Sequence, residues 1–251
     1  MGHLDGRTAL VTGGSRNLGA VVARHLADAG ASVVVTARSS LDDAQRVRDG
    51  LATGAGQDHH VVRVDADDPE DVERAAHETL ERVGGVDVLV NNAGPFSVTP
   101  FAELPTSEWR ATLDANLTAA MVLARELAPG MRERGWGRVV NVSAGSAFLR
   151  NHATYGLVKA ALNILTESLA LELGPEVTVN ALAPGQIAES APDVAEIDPT
   201  FVDRAIAQTP LARLVTRDEV AELVVTMVSP VFDPVTGVVV PIDGGWRLPR
   251  F

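Results

Sequence analysis

Short apolar runs alternate with amphipathic stretches along the whole chain. Runs rich in valine and other β-branched residues are typical of strands buried on both faces, whereas apolar positions three and four residues apart are typical of helices. The predicted strands cover residues 8–11, 32–36, 61–64, 86–90, 138–142, 177–181 and 237–240. The predicted helices cover residues 18–29, 40–52, 69–83, 107–134, 153–173 and 217–228.

This alternation predicts a single α/β domain over residues 1–251. Strands buried on both faces form parallel sheets that have helices on each side, and the doubly wound Rossmann arrangement is the expected fold. We therefore expect a seven-stranded parallel sheet with helices on both faces. Ligands in this architecture bind beyond the carboxyl ends of the strands, so the residues that follow each strand are the first candidates for a site.

Composition excludes several classes of function. The chain has 33 acidic and 21 basic side chains and a formal net charge of −12, so we expect neither a nucleic-acid partner nor an anionic membrane surface. No apolar run approaches the roughly 18 residues of a membrane span, and the first residues do not resemble a signal peptide. Because the chain has no cysteine, thiolate chemistry is excluded and a cytoplasmic location is expected. We expect no metal site, since none of the six histidines pairs with a carboxylate at a spacing typical of metal ligands.

The only tyrosine, Tyr155, and the only lysine, Lys159, stand four residues apart. In a helix this spacing places the two side chains next to each other. Every other cationic side chain is arginine, whose guanidinium is permanently charged, whereas the pKa of a lysine ammonium can be shifted by its surroundings. The pair therefore indicates a chemical site, and the alternative is a core tyrosine beside a surface lysine.

The first predicted strand ends in the glycine-rich segment Thr12-Gly13-Gly14-Ser15-Arg16-Asn17-Leu18-Gly19. Glycines at a strand-to-helix turn let backbone N–H groups approach a pyrophosphate at the positive end of the helix. The strict G-x-G-x-x-G spacing is not met, so a tight structural turn is the alternative interpretation.

Four motifs in order carry a resemblance to a known family. They are Thr12-Gly13-x-x-x-Asn17-x-Gly19, Asn91-Asn92-Ala93-Gly94, Tyr155-x-x-x-Lys159 and Pro184-Gly185. Together they resemble the short-chain dehydrogenase/reductase family, in particular its 3-oxoacyl reductases and other ketoreductases. The resemblance extends to Asp243-Gly244-Gly245 and implies an NADPH-dependent reduction of a ketone or aldehyde to an alcohol.

The resemblance also implies where the cofactor binds. NAD-binding relatives carry an acidic residue after the second strand, whereas this chain has Ala37 and Arg38 there. Arg38 and Arg16 together would bind a 2′-phosphate, so we expect NADPH; two solvated surface arginines are the alternative. Asn17 replaces the usual glycine, and asparagine tolerates the left-handed backbone region. The implied cofactor residues are Gly13, Ser15, Arg16, Asn17, Leu18, Gly19, Arg38, Asp65, Ala66, Asn92, Ala93, Gly94, Tyr155, Lys159, Pro184, Gly185 and Ile187.

Catalysis is implied for Asn116, a serine, Tyr155 and Lys159. A phenol has a reference pKa of about 10. The Lys159 ammonium and the oxidised nicotinamide ring are expected to lower the pKa of Tyr155, which would then act as the general acid in the reductive direction.

The identity of the serine is left open by the sequence. The usual position of the family falls on Ala144. Counting back from Tyr155 favours Ser143, and Ser146 is the alternative. A substrate-orienting hydroxyl stabilises developing charge on oxygen, so its loss would slow catalysis rather than abolish it.

Further expectations follow from the resemblance. They are a mobile substrate lid at about residues 186–210, a small carbonyl or alcohol substrate, and a homotetramer or dimer formed through the helices at 107–134 and 153–173. Glu189 stands where relatives have a threonine that bonds the cofactor, and we expect its carboxylate to point elsewhere. Together with Asn17 and Ala144, this departure motivates an alternative function, an NADP-binding sensor or interaction subunit without catalysis.

Overall fold

A computed structural model describes residues 2–54, 56–149 and 153–248 of the chain. Within these ranges, seven parallel strands form one sheet in the order β3-β2-β1-β4-β5-β6-β7, which confirms the predicted fold class. The strands are β1 (Thr8–Val11), β2 (Ser32–Ala37), β3 (His60–Arg63), β4 (Val88–Asn91), β5 (Gly137–Val142), β6 (Val177–Pro184) and β7 (Val239–Ile242). The helices are α1 (Asn17–Asp28), α2 (Leu41–Asp49), α3 (Pro69–Val83), α4 (Thr106–Leu113), α5 (Ala119–Glu133), α6 (Ala153–Leu173), α7 (Ala191–Ile197), α8 (Phe201–Gln208) and α9 (Arg217–Met227).

Both faces of the sheet are covered by apolar side chains, which explains the valine-rich strands. Successive residues of a strand point to opposite faces. On β1, Ala9 and Val11 pack in a cluster with Val22 of α1 and residues of α9, whereas Leu10 packs on the other side with residues of α3 and α5. Because side chains on both faces of the central strands are buried, the sequences of these strands do not alternate between apolar and polar residues.

The order of the strands in the sheet reverses at β1. Strands β2 and β3 extend the sheet to one side of β1, and β4 to β7 extend it to the other. A crevice forms where the strand order reverses, at the carboxyl ends of β1 and β4. The glycine-rich segment follows β1, and the segment that begins at Asn92 follows β4, so both border this crevice.

The helix predicted at 107–134 is interrupted in its middle. A π-helical segment, Asp114–Thr118, separates α4 from α5. Such segments hold one extra residue per turn and occur frequently at functional sites. Its central residue is Asn116, which the sequence analysis singled out for catalysis.

Several strand boundaries differ from the prediction by one to three residues, among them those of β6 and β7. β6 runs to Pro184 rather than ending at 181, and β7 begins two residues later than predicted. The reason is the register of their pairing, which aligns Ala181 with Val239 and Pro184 with Ile242. The longer β6 brings Pro184 to the carboxyl edge of the sheet.

The segment predicted as a substrate lid contains a short 3-10 turn, Ala188–Ser190, followed by α7 and α8. Ile187 pairs with Val215 in an isolated bridge, which attaches the start of this segment to the approach to α9. Movement of the segment as a lid stays a prediction. None of the helices within the described ranges has the combined length and apolar character of a membrane span.

Candidate active site

The turn between β1 and α1 adopts the backbone conformation that the glycine-rich segment implies. Gly13 has a φ of +62° and Asn17 a φ of +50°, so asparagine occupies the left-handed region as expected. A Cβ atom on Gly19 would lie 2.2 Å from the carbonyl oxygen of Gly13. Glycine is therefore required at position 19, where α1 packs directly against the turn.

Hydrogen bonds join this turn to the segment that follows β4. The Thr12 hydroxyl oxygen accepts from the backbone N–H groups of Asn92, at 2.8 Å, and Ala93, at 2.9 Å. The Asn92 side chain donates to the carbonyl oxygen of Thr12 at 2.9 Å. The two walls of the crevice are thereby held at a fixed separation.

A cleft of about 750 Å³ lies between these walls. Every implied cofactor residue from Gly13 to Gly94 lines it, and so do Ser39 and Ser40 at the start of α2. The remaining implied residues lie outside this lining, on α6 (Tyr155 and Lys159) and on and after β6 (Pro184, Gly185 and Ile187). Phe96 belongs to the cleft lining and also contacts Tyr155, so the tyrosine lies behind a residue that borders the cleft.

Arg38 lies at the end of the cleft bordered by β2 and β3. Its Nη1 atom donates to Asp65 Oδ1 at 3.3 Å and to both carboxylate oxygens of Asp67 at 3.2 Å. A hydrogen bond between the two carboxyl groups lowers the pKa of Asp65 and raises the pKa of Asp67. Arg16 is exposed on the same cleft.

Tyr155 and Lys159 lie next to each other on α6. The Lys159 Nζ atom is 5.6 Å from the centre of the Tyr155 ring. Lys159 is buried, and its Nζ donates to the carbonyl oxygen of Val142, the last residue of β5, at 2.7 Å. This hydrogen bond directs the ammonium toward the carboxyl edge of the sheet.

Burial shifts the pKa values of this pair in opposite directions. It raises the pKa of Tyr155 to about 12 and lowers the pKa of Lys159 to about 7, because desolvation disfavours the charged form of both groups. The expectation that Lys159 and the oxidised nicotinamide ring together lower the pKa of Tyr155 concerns the complex with cofactor and stays a prediction. The phenol is thus held in its protonated form, and the amine can gain or lose a proton near neutral pH.

The two candidate serines differ in what their hydroxyl groups bind. The Ser143 hydroxyl donates to the backbone carbonyl oxygen of Lys159 at 3.3 Å. Ser146 lies in a 3-10 turn, Gly145–Phe148, and its buried hydroxyl oxygen has no hydrogen-bond partner among the described residues. Buried polar groups are normally satisfied, so the Ser146 hydroxyl has hydrogen-bonding capacity that the described residues do not use.

Asn116 is buried against the segment that follows β4. Its side-chain nitrogen donates to the carbonyl oxygens of Thr112, at 3.0 Å, and Pro95, at 3.2 Å. Its Oδ1 atom is buried without a partner in the described part of the chain. A Cβ atom on Gly94, whose φ is +150°, would lie 2.1 Å from that Oδ1 atom, so this close approach requires glycine.

Phe96 and Glu108 line the cleft and were missed by the sequence analysis. The Phe96 ring meets the Tyr155 ring edge to face, with 4.9 Å between the ring centres, and Phe96 remains 58% exposed. Glu108 Oε1 accepts from the Ser97 hydroxyl at 2.6 Å and from the Thr99 hydroxyl at 2.8 Å, which anchors the loop that carries Phe96. An aromatic residue directly after Asn91–Pro95 was the only available signal in the sequence.

The residues after β6 are held by contacts with β7 and α9. Gly185 N–H donates to the carbonyl oxygen of Ile242 at 2.9 Å, and a Cβ atom on Gly185 would lie 2.7 Å from the Cβ of Asp243. The Glu189 carboxylate accepts from the backbone N–H of Arg217 at 3.1 and 3.2 Å. It therefore binds the first residue of α9, and its orientation relative to a bound cofactor stays a prediction.

One cluster of potential metal ligands on the outer surface is not apparent from the spacing of histidines in the sequence. Glu73 and His77 of α3 and Glu126 of α5 bring one ligand atom each within 4.8 Å of one another. Arg125 binds both carboxylates at 2.6 Å, and His77 hydrogen-bonds Glu126 at 2.9 Å. These contacts account for the cluster as an ion-pair network.

Comparisons with known proteins agree with this geometry. A family model described as "Enoyl-(Acyl carrier protein) reductase" matches residues 13–247. The chain is 34% identical over 245 residues to the 3-oxoacyl-[acyl-carrier-protein] reductase FabG of Aquifex aeolicus, covering 96% of this chain and 98% of that protein.

Solved structures are similar over nearly the whole chain. A gluconate 5-dehydrogenase from Burkholderia cenocepacia J2315 in complex with NADP and tartrate has a TM-score of 0.88 and 30% identity, covering 98% of this chain and 97% of that one. A 7α-hydroxysteroid dehydrogenase complexed with NADH and 7-oxo glycochenodeoxycholic acid has a TM-score of 0.89 and 30% identity, covering 96% of this chain and 94% of that one. With the Tyr155–Lys159 pair beside a cleft at the carboxyl edge of the sheet, the protein belongs to the short-chain dehydrogenase/reductase family of oxidoreductases.

Proposed function

We propose that the protein is an NADPH-dependent reductase that converts a ketone or aldehyde into an alcohol, with Tyr155 as the general acid. The observation that carries this proposal is the position of Lys159 Nζ, 5.6 Å from the Tyr155 ring. A protonated phenol and a titratable amine lie together on α6, behind a residue that borders the cleft.

The cleft fits a dinucleotide for three reasons. Gly13, Gly19 and Gly94 line the cleft and stand where a Cβ atom would crowd neighbouring protein atoms, so no side chain fills the cleft at these positions. The cleft also lies at the start of α1, where backbone N–H groups can bind a pyrophosphate. Its volume of about 750 Å³ falls in the range of small-molecule and cofactor sites.

The choice of NADPH over NADH depends on this chain's own residues, since similar structures hold either cofactor. Ala37 leaves the end of β2 without a carboxylate, and Arg38 follows it. Ser39 and Ser40, which follow Arg38 in the sequence, also line the cleft. Charge-assisted hydrogen bonds from arginine to a phosphate are stronger than neutral ones, so this group favours a 2′-phosphate.

Bound NADPH supplies the hydride for carbonyl reduction. Tyr155 has a pKa of about 12 and is protonated at neutral pH, so it can donate its proton to the carbonyl oxygen as negative charge develops. The Lys159 ammonium stabilises the tyrosinate that forms, and its pKa of about 7 lets it return a proton at neutral pH. Asn116, which has an unpaired buried oxygen, would anchor the proton relay toward Lys159.

Ser146 fits the substrate-orienting role better than Ser143, which reverses the preference from sequence counting. The Ser143 hydroxyl already donates to the Lys159 backbone, whereas the Ser146 oxygen is buried and unpaired among the described residues. A free hydroxyl can donate to the carbonyl oxygen of a substrate without breaking a bond inside the protein.

An association with further copies of the chain is part of the proposal. Leu157, Ile164 and Leu171 of α6 are 46%, 66% and 89% exposed, and their spacing of seven residues puts them on one face. We infer a homodimer or homotetramer that buries this face together with α5. The lack of cysteine supports a reducing compartment, the cytoplasm.

A screen of small ketones and aldehydes tests the proposal, with NADPH oxidation as the signal. The reductase hypothesis expects turnover with at least one carbonyl class and slower turnover with NADH. NADPH binding without turnover across aliphatic, aromatic and polyhydroxylated carbonyls would favour the alternative, a cofactor-binding sensor without catalysis.

A further inference from the structure

Arg38 is shared by two carboxylates at the place where the proposed function puts a 2′-phosphate. Asp67 supplies two of its three hydrogen bonds, at 3.2 Å, and Asp65 supplies the third, at 3.3 Å. All three bonds use the single nitrogen Nη1. One guanidinium facing two carboxylates leaves this part of the cleft with an excess of negative charge when both carboxylates are ionised.

The ion pair between Arg38 and Asp67 is partly exposed, so a bound phosphate can compete with Asp67 for the guanidinium. Good charge-assisted hydrogen bonds to carboxylates are about 2.7–2.9 Å long, shorter than those seen here. Arg38 is 59% exposed and Asp67 is 30% exposed, and exposed ion pairs contribute little to stability. A phosphate monoester carries about −1.5 to −2 charges at neutral pH, so the 2′-phosphate repels a nearby carboxylate. The uncharged 2′-hydroxyl of NADH does not.

We propose that Asp67 is a specificity-determining residue that weakens binding of the 2′-phosphate of NADPH, because it competes for Arg38 and repels the phosphate. This inference rests on the proposed use of NADPH. It assigns the effect to Asp67 because both of its carboxylate oxygens accept from Arg38, whereas Asp65 accepts with one oxygen. The preference for NADPH over NADH is therefore smaller than two arginines alone would produce.

The test is calorimetric binding of two probes to the full-length wild type and to Asp67→Asn. The probe 2′,5′-ADP carries the phosphate that distinguishes NADPH, and 5′-AMP lacks it. The variant should bind 2′,5′-ADP about fivefold more tightly at low salt, the factor expected for one charge interaction close to water-exposed groups. Its affinity for 5′-AMP should not change, and the gain should shrink at high salt.

Glu70→Gln is the matched control. Glu70 is an exposed carboxylate at the start of α3 that lines a different surface from Arg38, so its substitution removes the same charge at a distance from the cleft. The same gain in both variants would assign the effect to net charge and overturn the proposal. Unchanged or weaker binding of 2′,5′-ADP by Asp67→Asn would overturn it as well, the latter result showing that Asp67 positions Arg38.

The probes separate failure of this inference from failure of the proposed cofactor. If the wild type binds 2′,5′-ADP no better than 5′-AMP, the proposed use of NADPH fails, whatever Asp67→Asn does. If the wild type prefers 2′,5′-ADP and the variant shows no gain, only the assignment of Asp67 fails. In the Arg38→Ala background, Asp67→Asn should lose the part of its effect that comes from competition for Arg38 and keep the part that comes from direct repulsion of the phosphate.

Discussion

The Nζ atom of Lys159 donates to the carbonyl oxygen of Val142 at 2.7 Å, which connects the middle of α6 to the last residue of β5. The only lysine of the chain is thereby buried beside the only tyrosine. Burial lowers the pKa of Lys159 to about 7, and this shift has a consequence for stability that can be measured without any cofactor.

Lys159→Met should change how stability depends on pH. In the wild type, Lys159 is neutral in the folded state and protonated in the unfolded state between pH 7 and about 10.5, so folding releases a proton there. The free energy of unfolding therefore rises with pH across this window, by at most about 1.4 kcal/mol per pH unit. As pH falls to 7, this stabilisation is lost because the buried amine must be protonated. Urea unfolding at pH 7, 8 and 9 should show this slope in the wild type and a smaller slope in the variant. Equal slopes would contradict the burial of a titrating amine.

Ser146→Ala should slow turnover more than Ser143→Ala. Removing one hydrogen-bond donor to a developing oxyanion typically lowers kcat by about a hundredfold or more, and KM should change little. Ser143→Ala instead removes an internal bond to the Lys159 backbone and should reduce stability by about 1 kcal/mol. Steady-state kinetics and urea unfolding of both variants decide between the serines. A large loss of kcat in Ser143→Ala alone would restore the sequence-based choice.

Phe96→Ala should raise KM for apolar ketones. The ring of Phe96 forms an exposed wall next to Tyr155, and aromatic contacts contribute about 0.5–1.5 kcal/mol. We therefore expect a KM increase of about two- to tenfold for aryl or alkyl ketones. Phe101→Ala is the control, because Phe101 is 60% exposed and lies five residues further along the chain. Equal effects of the two substitutions would exclude a specific role for Phe96.

Ile164→Glu should disrupt the proposed oligomer. Ile164 lies between Leu157 and Leu171 on the exposed face of α6, so a carboxylate there would be buried if that face is an interface. Light scattering after size exclusion should give a dimer or tetramer for the wild type and a smaller particle for the variant. Val231→Glu changes an apolar residue that is 71% exposed outside α6 and should leave the assembly intact. A wild-type mass of 26.4 kDa would contradict the oligomer.

Much of the fold and the centre of the site could be predicted because they depend on local periodicity. The valine-rich runs predicted the strands, and the spacing of four residues predicted that Tyr155 and Lys159 are neighbours on a helix. Asn17 in the left-handed region was also predictable, because few residues other than glycine adopt it.

Features that depend on tertiary contacts could not be predicted. The π-helical segment around Asn116 leaves no clear change in the apolar pattern of the helix. The orientation of the two serine hydroxyls depends on the 3-10 turn after β5, and the pairing of Arg38 with Asp67 joins the segments that follow β2 and β3, which lie close together because the two strands pair in the sheet. The pKa values of Tyr155 and Lys159 depend on how completely α6 and its neighbours exclude water.

Tyr155→Phe tests the central claim most directly, since it removes a single hydroxyl group and keeps the ring that Phe96 contacts. Carbonyl reduction and NADPH binding should be measured on the same preparation. The account predicts that turnover falls by about a hundredfold or more while the affinity for NADPH is nearly unchanged. Turnover equal to that of the wild type would show that another group protonates the substrate and would contradict the account.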